Sequence, residues 1–199
     1  MGFLTMYAVL HPTSVVEISI AVLIPLLPGV LVSGFYADQL KTWYAKTLRK
    51  SSLHPPLWVF APAWTVLYFC MGLASWMVWQ QGGFMNQTIP LAFYGSTLVL
   101  QWAWCVVLLK HHRIDWALIT AVVLAAFQVS TFLEFAKVVG LPAASVLMGP
   151  VCIMCLLILA INYDLMVKNP VRRGSGAERD EHHSVLGGSL TPLVMTPEK

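Results

Sequence analysis

The side chains best suited to chemistry in this chain are indoles, and their spacing favours ligand binding over bond-making. Trp64, Tyr68 and Met71 stand at i, i+4 and i+7, which puts an aromatic and polarizable stripe on one helix face. Such a stripe either packs a core or stacks on a flat apolar ligand. Other reactive groups are poorly placed. Cys70, Cys105, Cys152 and Cys155 all lie in apolar runs. Cys152 and Cys155 form a C-x-x-C, but no second Cys or His pair accompanies it, so buried small residues are expected there, with no metal site. His182 and His183 are adjacent in a polar tail and make at most a weak metal ligand pair. Glu17, Glu134 and Asp164 fall near the ends of apolar stretches, within reach of water. No carboxylate–histidine relay is readable, which argues against a proton-coupled pump.

The elements that must position these groups are membrane helices. Of 199 residues, 58% are hydrophobic and 11% charged, whereas soluble domains carry roughly 25% charged residues. A spanning helix needs about 20 apolar residues, and five stretches qualify: Val15–Tyr36, Leu57–Trp79, Ile89–Leu109, Trp116–Ala136 and Ala143–Val167. The fold class is therefore all-α, a five-transmembrane-helix bundle. Short connections favour antiparallel packing of sequence neighbours. A net charge of +3 is too small to imply nucleic acid. Its distribution is informative, because Lys41, Lys46, Arg49 and Lys50, then Lys110 and Arg113, then Lys168, Arg172 and Arg173 share one side only if five spans are counted. The positive-inside rule puts that side, and the C-terminus, in the cytosol. Residues 1–14 read as a short N-terminal segment without a basic signal region or an Arg-rich presequence. The domain covers 15–168, and the Gly-, Ser- and Pro-containing stretch 169–199 reads as a disordered tail. No internal repeat is visible, against an inverted-repeat transporter within one chain.

Of eight tryptophans, Trp43, Trp58, Trp64, Trp102, Trp104 and Trp116 fall in the basic half of this bundle. Trp76 and Trp79 read as an interfacial belt at the other end. The imbalance points to an aromatic pocket in the basic half, with Trp58 and Trp116 equally readable as anchors. The connection before the second span holds Pro55, Pro56 and Pro62 around an aromatic run. It suggests a rigid approach beneath a basic, amphipathic loop, either a lid or an ordinary interfacial loop.

Several motifs resemble one family. Trp43-Tyr44-Ala45, the block His54-Pro-Pro-Leu-Trp-Val-Phe-Ala-Pro-Ala-Trp64-Thr-Val-Leu-Tyr68, Met71-Gly72, Gln101-Trp102-Ala103-Trp104, Trp116-Ala117-Leu118 and Ile161-Asn162-Tyr163 occur in its order and spacing. This is the translocator protein family, also called the tryptophan-rich sensory protein or peripheral benzodiazepine receptor family (TspO/MBR). The resemblance implies a five-helix, often dimeric protein with a pocket opening toward the cytosol under the first loop. It implies cholesterol, porphyrins such as protoporphyrin or heme-type tetrapyrroles, and benzodiazepine- or isoquinoline-type compounds as ligands, with no obligatory cofactor. The membrane it implies is the mitochondrial outer membrane in most eukaryotes, where outer-membrane proteins are candidate partners. Pocket positions carried over are Ser33, Tyr36, Phe60, Ala61, Trp64, Trp116, Ile119, Val123, Ile158 and Ile161. The family's sterol-recognition consensus falls on Leu159, Tyr163 and Lys168, a loose pattern.

The chain departs from the family at four places. Lys50-Ser-Ser-Leu53 replaces a Lys-Pro-x-Trp, Gln101 replaces an Asn, Ile158 replaces a small Ala, and Met154 replaces a Trp that in bacterial relatives pairs with the equivalent of Trp64 in proposed porphyrin breakdown. The expected function is a membrane-embedded binder of sterols and porphyrins, in lipid or sterol transport or tetrapyrrole homeostasis. The alternatives are a light-dependent porphyrin-degrading enzyme using Trp64, and a scaffold recruiting partners through the tail. Gly72 and Ala74 are small enough for close helix approach.

Overall fold

The computed structural model describes residues 12–49 and 56–169. The expectations for the N-terminal segment before residue 12, for Lys50-Ser-Ser-Leu53 and for the tail beyond Asn169 lie outside the described residues. Among the described residues five helices are long and apolar enough to cross a membrane: α1 (Pro12–Phe35), α2 (Leu57–Trp79), α3 (Thr88–Leu109), α4 (Ile114–Val139) and α5 (Leu141–Lys168). Hydropathy alone locates them because the backbone must satisfy its own hydrogen bonds in lipid, and helices do so within one segment. Pro56 enters α2 with an extended ψ of 140°, and Pro62 lies inside that helix. Between α4 and α5, Gly140 turns the chain at φ 87°, a left-handed conformation that side chains resist.

Sequence neighbours do not simply pack in order. α1 lies beside α2, α2 beside α5, α5 beside α4 and α4 beside α3, while α3 returns to touch α1. Neighbour-to-neighbour packing thus holds for α1–α2, α3–α4 and α4–α5, while α2 and α3 touch only lightly. Gly82 and Gly83, at φ 113° and 67°, supply the turn between those two helices.

The connection from α1 to α2 carries a short turn, Ala37–Gln39, and an eight-residue π-helix, Leu40–Thr47. Such helices are rare and concentrate at functional sites. This strap, the α3–α4 link and the C-terminus of α5 meet at one end. Trp43 stacks on His112 with ring centroids 4.1 Å apart and planes 21° apart, and Arg49 is hydrogen-bonded to Asn169. Lys41, Lys46, Arg49, Lys110, Arg113 and Lys168 thus share this basic end. At the opposite end, Glu17 of α1 accepts hydrogen bonds from Trp76 Nε1, at 3.3 Å, and Gln80 Nε2 of α2. The sequence suggested only that Glu17 reaches water; it also ties two helices.

α1 and α2 approach closely at Gly72. A Cβ there would lie 2.5 Å from Val22 Cα. Gly72 is buried, and Ala74 is fully buried. The close approach these small residues allow is therefore made to α1 of the same chain, at least for Gly72. Two core clusters fill the bundle. The deeper one includes Tyr68, Met71, Tyr94, Leu98, Phe135 and Met148. The other, at the basic end, includes Tyr44, Trp104, Leu108, Ile158, Ile161 and Leu165. Trp64 and Met154 pack against both.

Candidate ligand site

The basic-end cluster encloses a cavity of about 20 Å³. Phe60 of α2, Trp104 and Leu108 of α3 line one part of it, and Ile158, Ile161, Asn162 and Leu165 of α5 another. Tyr44 of the strap closes it and is only 5% exposed. Burial pushes the Tyr44 phenol well above its ordinary pKa.

Buried bonds fix the wall between α3 and α5. Trp104 Nε1 donates to Asn162 Oδ1 at 3.3 Å, and Asn162 Nδ2 donates to the Ile158 carbonyl at 2.8 Å. The α2 wall is an aromatic ladder. Phe60 and Trp64 have ring centroids 6.2 Å apart, and Trp64 and Tyr68 5.4 Å apart, within the range of favourable aromatic pairs. The ladder runs from the cavity toward the deeper core, and Met154, like Trp64, packs against both clusters.

The strap is held at two points. Arg49 N–H donates to Asn169 Oδ1 at 3.0 Å, and Asn169 Nδ2 donates back to the Arg49 carbonyl at 3.0 Å. Asn169 also caps α5 through Leu165, so a residue that composition assigns to the tail is here part of the bundle. At the other point Trp43 stacks on His112, which sits at φ 53°, the left-handed region, alone among described non-glycine residues. Histidine tolerates this conformation better than most side chains, and the stack orients it.

The expected pocket residues separate into three groups. Phe60, Ile158 and Ile161 line the cavity, and Trp64 and Tyr36 pack against the same cluster. Ala61 is exposed, and Trp116, Ile119 and Val123 lie on the outer face of α4 at 54%, 54% and 38% exposure. The Ser33 side chain lies outside the described residues. In the sterol consensus, Leu159 packs against the basic-end cluster, Tyr163 points outward at 63% exposure, and Lys168 Nζ pairs with Asp164 at 2.8 Å. The cavity adds Tyr44, Trp104, Leu108, Asn162 and Leu165, which were not among the expected site residues. Tyr44, Trp104 and Asn162 each sit inside a quoted motif, which is the signal that marks them. Among the described residues no group of three metal-ligating side chains occurs.

The order of these motifs around one cavity fits a single family, and a sequence model described as the TspO/MBR family matches residues 21–167. The chain belongs to the TspO/MBR family. The translocator protein of Bos taurus is 33% identical over 153 residues, covering 76% of this chain and 89% of that protein. The translocator protein of Homo sapiens is 32% identical over 154 residues, with the same coverage of 76% and 89%. The tryptophan-rich protein TspO of Archaeoglobus fulgidus is 28% identical over 156 residues, covering 78% of this chain and 99% of that protein. The TspO/MBR match contains every cavity-lining residue from Tyr44 to Leu165; Asn169, which anchors the strap, falls just beyond it.

Proposed function

We propose that this multi-pass membrane protein of the TspO/MBR family binds rigid apolar ligands in the basic half of its bundle, sterols first and tetrapyrroles second. Its role is then in lipid or sterol transport, or in tetrapyrrole homeostasis. The observation that carries the reading is the Phe60–Trp64–Tyr68 ladder leading out of a cavity whose remaining walls are apolar apart from Tyr44, Trp104 and Asn162. Aromatic faces with few polar groups suit flat or fused-ring ligands. The cavity of about 20 Å³ has room for about one water, whereas ligand sites span roughly 300–1,000 Å³. Binding therefore requires Tyr44 to leave and the strap to lift. Trp116, Ile119 and Val123 contribute from the lipid side, as do Tyr163 and Lys168 at the sterol consensus.

Under the same reading the basic end faces the cytosol, the protein forms homodimers, and a eukaryotic cell would place it in the mitochondrial outer membrane. Light-driven porphyrin oxidation ranks behind binding, because Met154 shares with Trp64 the junction of the two clusters, where a second indole would be needed. Titrating purified protein with protoporphyrin and following intrinsic fluorescence tests the reading. Trp64→Ala removes a stacking partner worth about 1.5 kcal/mol, so affinity falls roughly tenfold. Unchanged quenching and affinity remove Trp64 from the site.

A further inference from the structure

The wall formed by α3, α4 and α5 carries a column of buried polar side chains, and one of its rungs is incomplete. In the outer rung, Thr97 Oγ1 of α3 and Thr131 Oγ1 of α4 lie 2.9 Å apart. In the rung nearest the cavity, Trp104 Nε1 donates to Asn162 Oδ1. Between them stand Gln101 and Gln128, at 2% and 0% exposure. Gln101 is four residues past Thr97 on α3, about 6 Å along the axis. Gln128 is three residues before Thr131 on the antiparallel α4, about 4.5 Å along it. The two amides therefore occupy nearly one level on facing helices.

Gln101 Oε1, Gln101 Nε2 and Gln128 Oε1 have no hydrogen-bond partner among the described residues. Gln128 Nε2 is directed instead to Cys152 Sγ of α5, at 3.9 Å. Unpaired amides are costly away from water, and most costly in a membrane. Two are concentrated at this level, between two rungs that are satisfied.

We propose that the Gln101–Gln128 level is an internal binding site for one water molecule, bridging α3 and α4. The complement decides the ligand class. Two carbonyl oxygens need two donors, and one NH₂ group needs an acceptor. Water supplies both donors and the acceptor at once. A ligand hydroxyl has one donor and leaves an amide oxygen unpaired. A cation would meet the NH₂ group, and an anion the oxygens. Trp104 and Asn162 belong both to the next rung and to the cavity lining, so the polar column continues from the Gln101–Gln128 level to the cavity. The bridge joins α3 to α4, and through Gln128 and Cys152 to α5, making these three helices the rigid wall against which α1, α2 and the strap move.

Solid-state NMR of the labelled full-length protein in lipid bilayers, with magnetisation transferred from water, tests this. The Gln101 side-chain amide gains signal at mixing times when buried Leu98 and Leu124 gain none. Gln128→Leu removes one partner and cuts the Gln101 signal at least twofold, while that of Asn162 is retained. Gln128→Met, similar in length but lacking the amide, replaces it if the leucine variant does not fold. A Gln101 signal that builds no faster than Leu98 overturns the proposal. So does a direct Gln101–Gln128 amide contact without water transfer, or a Gln101 signal indifferent to the loss of Gln128.

Discussion

Asn169→Ala isolates the strap from the rest of the site. The substitution deletes both reciprocal bonds to Arg49 and the Nδ2 bond to the Leu165 carbonyl, while the backbone N–H of residue 169 keeps its own bond to that carbonyl. Each bond to Arg49 contributes about 0.5–1.5 kcal/mol net, and both are exposed, which favours the lower half of that range. The closed strap thus loses about 1–2 kcal/mol, a factor of roughly 5–30 in the open fraction. If ligand binds only after Tyr44 leaves the cavity, apparent affinity rises as the competent fraction rises. Asn169→Ala should therefore accelerate protoporphyrin association by about that factor in stopped-flow quenching and tighten the apparent Kd. Hydrogen exchange at the Arg49 amide should speed up in parallel. Asn169→Asp keeps the acceptor for Arg49 N–H but loses the returning donor, and should fall between. Faster exchange at Arg49 with unchanged or slower ligand association would refute the view that the strap controls access.

The other expectations concern the second anchor, the backbone contact of α1 with α2 and the cavity wall. Trp43→Ala removes the stack on His112, worth about 0.5–1.5 kcal/mol. Its effect on association should add to that of Asn169→Ala, since the anchors share no partner; strong non-additivity in the double variant would show that they are one. Gly72→Ala forces a methyl to 2.5 Å from Val22 Cα and should lower thermal stability by about 1–3 kcal/mol, whereas Gly95→Ala, with nothing within 4 Å of the added carbon, should be neutral or slightly stabilising. Equal melting shifts for the two would contradict the packing of α1 on α2. Ile158→Ala should enlarge the cavity and strengthen porphyrin binding. Its stability cost should be below the roughly 2–5 kcal/mol seen for such core truncations in water, because lipid is as apolar as the side chain lost and only packing is forfeited.

Hydropathy and charge made the five spans and the shared basic end legible, since both follow from the cost of placing backbone and cations in hydrocarbon. The angular orientation of each helix was not legible. Trp116, Ile119 and Val123 repeat at helical spacing, yet the structure turns this stripe outward. In a soluble protein an apolar stripe faces the core, but in a membrane the outer face is apolar as well, so periodicity does not tell inside from outside. The same reasoning explains the order of the bundle. A short link keeps α2 and α3 antiparallel but does not oblige them to pack, and α5 lies beside α2 instead. Asn169 was hidden for another reason, because its role depends on meeting Arg49 across 120 positions of sequence and no local signal marks it.

These differences bear on which surface yields when the site opens. The bond between Trp104 and Asn162 is buried, so parting α3 from α5 takes both groups from a partner away from bulk water. The strap's bonds to Asn169 are exposed, and water can replace them as they break. Opening at the strap is therefore the less costly route. Room for the ligand then has to come from the side chains around Tyr44. Ile158 is β-branched, stiff at χ1 and 2% exposed, so it holds its wall in place. Met154 has three rotatable bonds and can repack around a new neighbour. Like Trp64, it packs against both clusters. Under the proposed function, space is therefore made by Met154 rather than by Ile158. Under that reading a flat ring system is accommodated without the second indole that chemistry on the ring would require.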